Sequence, residues 1–236
     1  YLPIEVQLYK EKEVLQAVPL LDGQVRQEVV NVPGEGFGFG LYNAEDIPSE
    51  GDALLADTLV ATAVTNSEGK LVLSGYFPHG TYYLRELSGP RGWKLSTTHI
   101  PINLTADQLT PGATVIAVAL EEPVHNELVY FHVTLTKTDI TGQETVPGAL
   151  IEVMDATGAV IYRAYTDTQG QIPEIPVVPG TYTFREVLAP DGYLLNVSEM
   201  QFTVAEDGSI TGDTTLRDDF NHLLLHKVDT AGSPLA

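Results

Sequence analysis

Residues 166–195, TDTQGQIPEIPVVPGTYTFREVLAPDGYLL, consist of short alternating runs separated by glycine and proline. Within them, Tyr182, Phe184 and Glu186 lie on one side of an extended chain, because successive side chains of a strand point to opposite faces. Similar runs with regular turn signals occur along the whole chain, and helical periodicity is almost absent. The pattern predicts an all-β fold made of β-sandwiches.

This stretch has a counterpart in the first half of the chain. Residues 65–95, TNSEGKLVLSGYFPHGTYYLRELSGPRGWKL, share with it the frame T-[ND]-x-x-G, then G-T-Y-x-[LF]-R-E, then P-x-G-[WY]. An internal repeat of this size indicates tandem modules. We predict one module over 1–127, with an insertion near 13–33, and a second over 128–222. Residues 223–236 repeat the opening of the second module and predict the first strand of a third.

The composition excludes several classes of partner. The 236 residues include 12 Lys and Arg against 32 Asp and Glu, and the resulting net charge of -20 repels phosphate backbones and anionic membranes. We therefore expect no nucleic-acid partner. No apolar run approaches the roughly 20 residues of a membrane span, so we expect no membrane insertion in this segment of a longer parent chain. The absence of cysteine excludes disulfides and thiolate chemistry.

Each module places a lysine and a glutamate where apolar side chains are expected. Lys10 ends the alternating run IEVQLYK, and Lys137 ends FHVTLTK. Glu86 and Glu186 each follow two large apolar residues on the core side of their strand. Because a buried charge is costly unless it is paired or neutral, we predict a buried Lys–Glu pair in each module.

The strand that ends each module supplies a third polar residue. Asn126 closes the last run of the first module. In the second module, TTLRDDFNHLLL offers three residues: Asp218 shares its parity with Leu216 and is the first choice, Asp219 is the second and Asn221 the third.

A lysine, a glutamate and an Asn or Asp in a dry core permit a definite reaction. Desolvation favours the neutral amine and the protonated carboxylic acid. The amine can attack the side-chain carbonyl while the glutamic acid transfers protons, and adjacency supplies the effective concentration. The product is an isopeptide bond, formed with loss of ammonia or water. A buried ion pair without covalent chemistry is the alternative. Recurrence of the pattern in two modules of a cysteine-free chain favours the cross-link.

These motifs resemble the Cna B-type (SpaA-like, prealbumin-like) domains of Gram-positive surface adhesins and pilins. The resemblance rests on LTKTDITG, VPGALIEVMD and VPGTYTFREVLAPDGYLL in the second module and on GFGLYNAEDI and GTYYLRELSGPRGW in the first. It implies inverse Ig-like sandwiches in which an autocatalytic bond joins the first and last strands. The implied cross-linked pairs, each assisted by its glutamate, are Lys10–Asn126 with Glu86 and Lys137–Asp218 with Glu186.

The first module departs from the usual pattern of the family, in which the lysine is the first residue of a K-x-D motif. It has YKEKEV at this place, so Lys12 is the alternative to Lys10. The resemblance also makes Lys227 the nucleophile of the third module, although we expect an ordinary amine in this chain.

The function expected from these features is structural. We predict stalk or shaft modules of a secreted, cell-wall-anchored surface protein whose partners are the neighbouring modules of the parent chain. The chain is not expected to be an enzyme beyond its single-turnover cross-linking. The alternatives are an adhesin module that binds a host protein or glycan, and an accessory domain of a secreted enzyme.

No cofactor or metal is expected. His125, His222 and His226 lie near the module ends without metal-ligand spacing, and the acidic runs lack the spacing of a calcium loop.

Overall fold

The computed structural model describes residues 2–48, 53–109 and 111–221. The predicted start of a third module at 223–236 lies outside the described residues, together with His222, His226 and Lys227. The chain forms two compact units. Unit 1 consists of the residues up to Leu15 and of Val29–Val129, and unit 2 of Gln16–Glu28 and the residues from Tyr130 onward. The module limits predicted from the repeat, 1–127 and 128–222, remain predictions.

The first part of the chain contains nine strands and, among the described residues, one short 3-10 helix at Ala106–Gln108. The strands are β1 (Leu2–Pro19), β2 (Val25–Pro33), β3 (Gly38–Asn43), β4 (Leu59–Val64), β5 (Lys70–Phe77), β6 (Gly80–Ser88), β7 (Ile100–Leu104), β8 (Ile116–Ala119) and β9 (Val124–Asn126). In unit 1, strands β4, β3, β6 and β7 form one sheet in that order, and β1 pairs with β5, β8 and β9 in the other.

One apolar core fills the space between the two sheets of unit 1. Alternate residues of β1 point into it, as expected from the alternation of IEVQLYK. Side chains from both sheets meet there in a single cluster, which includes Ile4, Val6, Leu8, Phe39, Leu41, Leu71, Leu73, Tyr82, Leu84, Ile102 and Ile116. The arrangement is a β-sandwich.

Unit 2 repeats this plan with eight strands. They are β10 (Phe131–Asp139), β11 (Leu150–Met154), β12 (Val160–Tyr165), β13 (Gln171–Val177), β14 (Gly180–Leu188), β15 (Met200–Val204), β16 (Ile210–Gly212) and β17 (Thr215–Asp218). Strands β12, β11, β14, β15 and β16 form one sheet, to which Val25 adds one pairing with Arg163. Strands β13, β10 and β17 form the other. The core between them includes Val133, Leu135, Ile151, Val153, Ile172, Tyr182, Phe184, Phe202 and Leu216. The predicted all-β fold with tandem sandwich modules is confirmed.

In both units the lysine strand runs parallel to the last strand. Lys10 is paired in register with Val124, and Lys137 with Leu216. The third polar residue, Asn126 or Asp218, stands two positions further along the last strand in each case, and therefore on the same face. The same register in both units directs the lysine and the last-strand residue to one side of the sheet.

A glycine turn fixes the backbone of each lysine. The carbonyl oxygens of Gly69 and Gly170 accept hydrogen bonds of 2.7 Å from the N–H groups of Lys10 and Lys137. Both glycines have positive φ, +71° and +69°, which other residues rarely adopt. A Cβ at Gly170 would lie 2.6 Å from the Lys137 carbonyl oxygen. A Cβ at Gly69 would overlap the Lys10 carbonyl oxygen. The glycine of the T-[ND]-x-x-G frame is thus required beside the lysine.

The Asn or Asp of the same frame shapes this turn. Asn66 Oδ1 accepts hydrogen bonds from the N–H groups of Glu68 and Lys70 at 3.0 and 2.8 Å. Asp167 accepts the equivalent pair in unit 2. Such side-chain caps favour the turn over a continued strand. Within the described ranges, no helix has the length and apolar content needed to cross a membrane.

Candidate functional site

In unit 1 the structure brings together the three residues singled out in the sequence. Lys10 on β1, Glu86 on β6 and Asn126 on β9 are buried, with 1%, 6% and 2% of their surface exposed. Lys10 Nζ donates a 2.5 Å hydrogen bond to Asn126 Oδ1. Asn126 Nδ2 donates one of 2.9 Å to Glu86 Oε1, which lies 3.7 Å from Lys10 Nζ. The amine, the amide and the carboxyl group form a closed triangle in the core.

Two further contacts orient this triad. Glu86 Oε2 accepts a 2.6 Å hydrogen bond from the backbone N–H of Ser96, which leaves Oε1 directed at Asn126 and Lys10. The ring of Phe37 lies beneath the amine, with Lys10 Nζ 5.0 Å from its centroid. The amine therefore has one apolar neighbour and two polar ones.

Burial lowers the pKa of Lys10 from 10.5 to about 8, because desolvation disfavours the ammonium form. The nearby Glu86 carboxylate opposes this shift by charge and by hydrogen bonding, but it does not cancel it. A lysine of this kind loses its proton far more readily than one in water. The neutral amine is the form that can attack a carbonyl.

Unit 2 holds the corresponding residues in the same arrangement. Lys137 on β10, Glu186 on β14 and Asp218 on β17 are buried, with 1%, 4% and 0% exposed. Lys137 Nζ donates a short hydrogen bond to Asp218 Oδ1 and lies 3.4 Å from Glu186 Oε1. Glu186 Oε2 accepts a 2.8 Å hydrogen bond from the backbone N–H of Asn196. One lysine thus contacts two carboxyl groups in a dry interior.

The two carboxyl groups of unit 2 have one unsatisfied oxygen each. Glu186 Oε1 and Asp218 Oδ2 are buried without a hydrogen-bond donor. Burial raises the pKa of Glu186, and the adjacent Asp218 adds to this by its charge and by a hydrogen bond to the protonated form. The Asn196 N–H and the Lys137 charge oppose the shift. A proton held by Glu186 would supply the missing donor between the two groups.

The second-choice residues lie elsewhere. Lys12 places its Nζ 4.4 Å from the centroid of the Trp93 ring. Asp219 is exposed, and its Oδ1 accepts a 2.8 Å hydrogen bond from the Phe220 N–H. Asn221 is also exposed, and its N–H donates to the Gly192 carbonyl. The parity of the strands accounts for the placement of Asp219, because it points away from the face that carries Asp218.

The backbone donors to the glutamates were not predicted from the sequence. Ser96 and Asn196 each stand ten positions after their glutamate, and each donates its N–H to Oε2. A backbone N–H carries no residue signature, so the only available signal was this equal spacing in the two copies.

The described residues contain no group of three or more His, Asp or Glu side chains that could hold a metal ion. His125 is exposed, and its Nε2 lies 3.3 Å from Glu13 Oε1.

The comparison with protein families gives two matches. The family model described as SpaA, prealbumin-like fold domain, matches residues 30–117 and again residues 131–218. Each match ends in or before the last strand of its unit. No curated protein sequence matches the chain.

Solved structures share the fold. The Bacillus anthracis TIE protein is 20% identical with a TM-score of 0.55, over 92% of this chain and 34% of that one. This chain therefore spans about a third of the length of that protein. A C-terminal fragment of the pilus adhesin SpaC from Lactobacillus rhamnosus GG is 16% identical with a TM-score of 0.51, over 99% of this chain and 98% of the fragment. At these identities the likeness shows the fold alone.

Proposed function

This chain belongs to the SpaA family of prealbumin-like fold domains, and from that premise we propose that it forms structural modules of a secreted Gram-positive surface protein. In this proposal the parent is a wall-anchored adhesin or pilin-like stalk, and each unit is closed by an isopeptide bond. The pilus adhesin among the structures of the same fold supports the assignment to the cell surface. A host-ligand site and an accessory role in a secreted enzyme remain the alternative predictions.

One observation carries the proposal. Two buried triads of Lys, Glu and Asn or Asp occupy equivalent strands, with the same register between lysine and last strand. An isolated buried ion pair is weak support for any function, because its desolvation cost commonly exceeds its Coulomb gain. Two copies in which the lysine contacts both the acceptor and the glutamate, one of them with an uncharged Asn, are better explained by a shared reaction than by charge pairing.

In unit 1 the reaction releases ammonia. The neutral Lys10 amine attacks Cγ of Asn126, so that the Nζ–Cγ bond forms and the Cγ–Nδ2 bond breaks. Glu86 Oε1, 2.9 Å from Asn126 Nδ2, gives its proton to the leaving nitrogen and receives one from Nζ. Every atom is accounted for by one amide bond and one ammonia molecule.

In unit 2 the same steps release water. Lys137 Nζ attacks Cγ of Asp218, the new Nζ–Cγ bond replaces one C–O bond, and the departing oxygen leaves as water. Glu186 donates its own proton to that oxygen, takes a second proton from Nζ and passes it to the same oxygen, so that the water receives two protons and Glu186 ends as the carboxylate. The raised pKa of Glu186 keeps this proton available in the interior.

The test is the intact mass of the purified chain. We expect it to be lower than the sequence mass by one ammonia and one water molecule. Digestion should then yield two branched peptides, one joining Lys10 to Asn126 and one joining Lys137 to Asp218. An unshifted mass contradicts the cross-linking proposal and leaves the buried ion pair as the explanation.

Single substitutions assign each loss to its unit. Glu86→Gln should abolish the loss of ammonia only, and Glu186→Gln the loss of water only. Glu127→Gln is the matched control: it removes a carboxyl group one position from Asn126 that forms an exposed ion pair with Lys94. Its mass should be that of a doubly cross-linked chain. Loss of a cross-link in this control would show that the reaction depends on net charge rather than on the buried acid.

A further inference from the structure

One short loop of unit 2 contacts the acid of the triad and the backbone on both sides of the acceptor. The Asn196 N–H donates to Glu186 Oε2 at 2.8 Å, and the Asn196 side-chain Nδ2 donates to the Arg217 carbonyl oxygen at 2.7 Å. Two positions earlier, the Leu194 N–H donates to the Asp219 carbonyl oxygen at 3.0 Å. The loop therefore holds the backbone on both sides of the acceptor residue.

The two hydrogen bonds to the Arg217 and Asp219 carbonyl oxygens fix the position of the acceptor carboxyl group. Asp218 lies between the two carbonyl groups that the loop binds, and its strand pairs in register with the strand of Lys137. A displacement of β17 along β10 would move the carboxyl carbon away from the amine. A shift of about 1 Å in such a geometry can cost roughly a hundredfold in rate.

Asn196 also determines which oxygen of Glu186 carries the acidic proton. Because Glu186 Oε2 already accepts the Asn196 N–H, the acidic proton belongs on Oε1. Oε1 lies 3.4 Å from Lys137 Nζ, and both Oε1 and Asp218 Oδ2 are buried without a donor. The backbone contact thus leaves Oε1 directed at the amine that must give up a proton.

The equivalent loop of unit 1 makes only some of these hydrogen bonds. The Ser96 N–H holds Glu86, and the Lys94 N–H donates to the Glu127 carbonyl oxygen at 2.9 Å. Ser96 occupies the position equivalent to Asn196 and has a shorter side chain. Its Oγ accepts a hydrogen bond from the Thr98 N–H at 3.2 Å. In unit 2 the Asn196 Oδ1 caps the Ser198 N–H in the same way, and its Nδ2 is the additional link.

We propose that Asn196 is a positioning residue for cross-linking in unit 2, acting through its side-chain link to the acceptor strand and its N–H link to Glu186. This inference rests on the proposed function. It assigns Asn196 no chemical step, since the bonds that form and break lie between Lys137 and Asp218.

The experiment separates two contacts of the Asn196 side chain. One is the hydrogen bond from Nδ2 to the Arg217 carbonyl oxygen, and the other is the cap that Oδ1 forms on the Ser198 N–H. Asn196→Asp has the same shape and keeps an oxygen to cap Ser198, but it cannot donate to the Arg217 carbonyl oxygen. Asn196→Gln keeps the amide donor but loses the geometry of the cap. The 236-residue chain is recovered unfolded and refolded by dilution, samples are stopped in acid at intervals, and the loss of water is followed by intact mass. Circular dichroism identifies the samples in which the chain is folded.

Positioning of the acceptor strand predicts that Asn196→Asp slows the loss of water about ten- to a hundredfold, and that Asn196→Gln recovers most of the rate. A role limited to capping the loop predicts the opposite order. Asn196→Ser, which copies unit 1 and adds no charge, should be as slow as Asn196→Asp and replaces it if the aspartate variant does not fold.

The results distinguish a failure of the Asn196 role from a failure of the proposed Lys137–Asp218 bond. If the unchanged chain loses water and both Asn196→Asp and Asn196→Ser react at its rate, Asn196 has no positioning role, while the cross-link stands. If the unchanged chain loses no water, the proposed bond in unit 2 is wrong and the role of Asn196 is overturned with it.

Discussion

Cross-linking in unit 1 should slow down, not speed up, when the pH rises above about 8. The reactive form of the Lys10–Glu86 pair contains a neutral amine and a protonated carboxyl group. The ordinary ion pair, ammonium and carboxylate, holds the same single proton, so the two forms interconvert without exchange with solvent. The rate is therefore flat in pH as long as the pair keeps that proton. Once it is lost, a nucleophile remains but no acid is left to protonate the leaving nitrogen.

Burial of Lys10 sets the pH at which this happens. Desolvation lowers its pKa from 10.5 to about 8. About half of the pairs then hold their proton at pH 8 and about a tenth at pH 9. With the ordinary value of 10.5, nearly all pairs would still hold it at pH 9. We expect the rate at pH 9 to be about tenfold below the rate at pH 7.

The assay uses the Glu186→Gln background, so that only unit 1 reacts. The chain is refolded from denaturant into buffers between about pH 6 and 10, and the loss of ammonia is followed by intact mass. Trp93, the single tryptophan, lies in unit 1, so its fluorescence reports when folding of that unit is complete. A rate that rises through pH 8 and stays high would refute the reasoning, because it would mean that Glu86 needs no proton. Glu86→Gln should give no ammonia at any pH.

Two further predictions concern unit 2. Asp218→Asn should keep the cross-link but change the leaving molecule from water to ammonia, whereas Asp219→Asn should still lose water; intact mass separates the two, and a loss of ammonia from the second variant would reassign the acceptor. Gly170→Ala should lower the free energy of unfolding by about 2 kcal/mol or more, because its Cβ would meet the Lys137 carbonyl oxygen at 2.6 Å. Gly158→Ala has a similar φ of +83° and no atom within 4 Å, so its cost in urea unfolding should be about 1 kcal/mol; equal costs would show that the contact is unimportant.

The repeat frame predicted the fold because each of its residues meets a local requirement. Glycine is needed at the positive φ beside the lysine, and Asn or Asp caps the turn that precedes it. The segment near 13–33 was recognised only as an insertion. It forms the end of β1, a turn at residues 20–24 and all of β2. The exposed and half-buried positions of β2 alternate only from Val29 to Pro33, so its first half lacks the period of two that marks a strand with one buried face.

The charged residues of the triads could be identified from the sequence because they break the apolar pattern of their strands. Lys10 and Lys137 occupy core positions, and no other lysine ends such a run among the described residues. The parallel pairing of first and last strands could not be derived from parity alone, since it joins residues 81 or 116 positions apart. The loop that holds Glu186 escaped prediction for another reason. It acts through backbone groups and one partly buried asparagine, neither of which departs from an ordinary turn.

Each proposed bond joins two residues that lie far apart in the sequence, near the two ends of its unit. Lys10 and Asn126 are 116 residues apart, and Lys137 and Asp218 are 81 apart. Closing a loop of roughly 100 residues removes about 4 to 5 kcal/mol of unfolded-chain entropy, and this quantity changes only slowly with loop length. Both bonds should therefore stabilise their units by similar amounts, comparable to the whole stability of an ordinary domain. If both proposed bonds form, tension applied to the chain passes from Lys10 directly to Asn126 and from Lys137 directly to Asp218. Between the two bonds, only the eleven residue steps from Asn126 to Lys137 carry it along the backbone. The strands enclosed by each bond can lose their hydrogen bonds under force and still add no length, which is the property that a stalk requires.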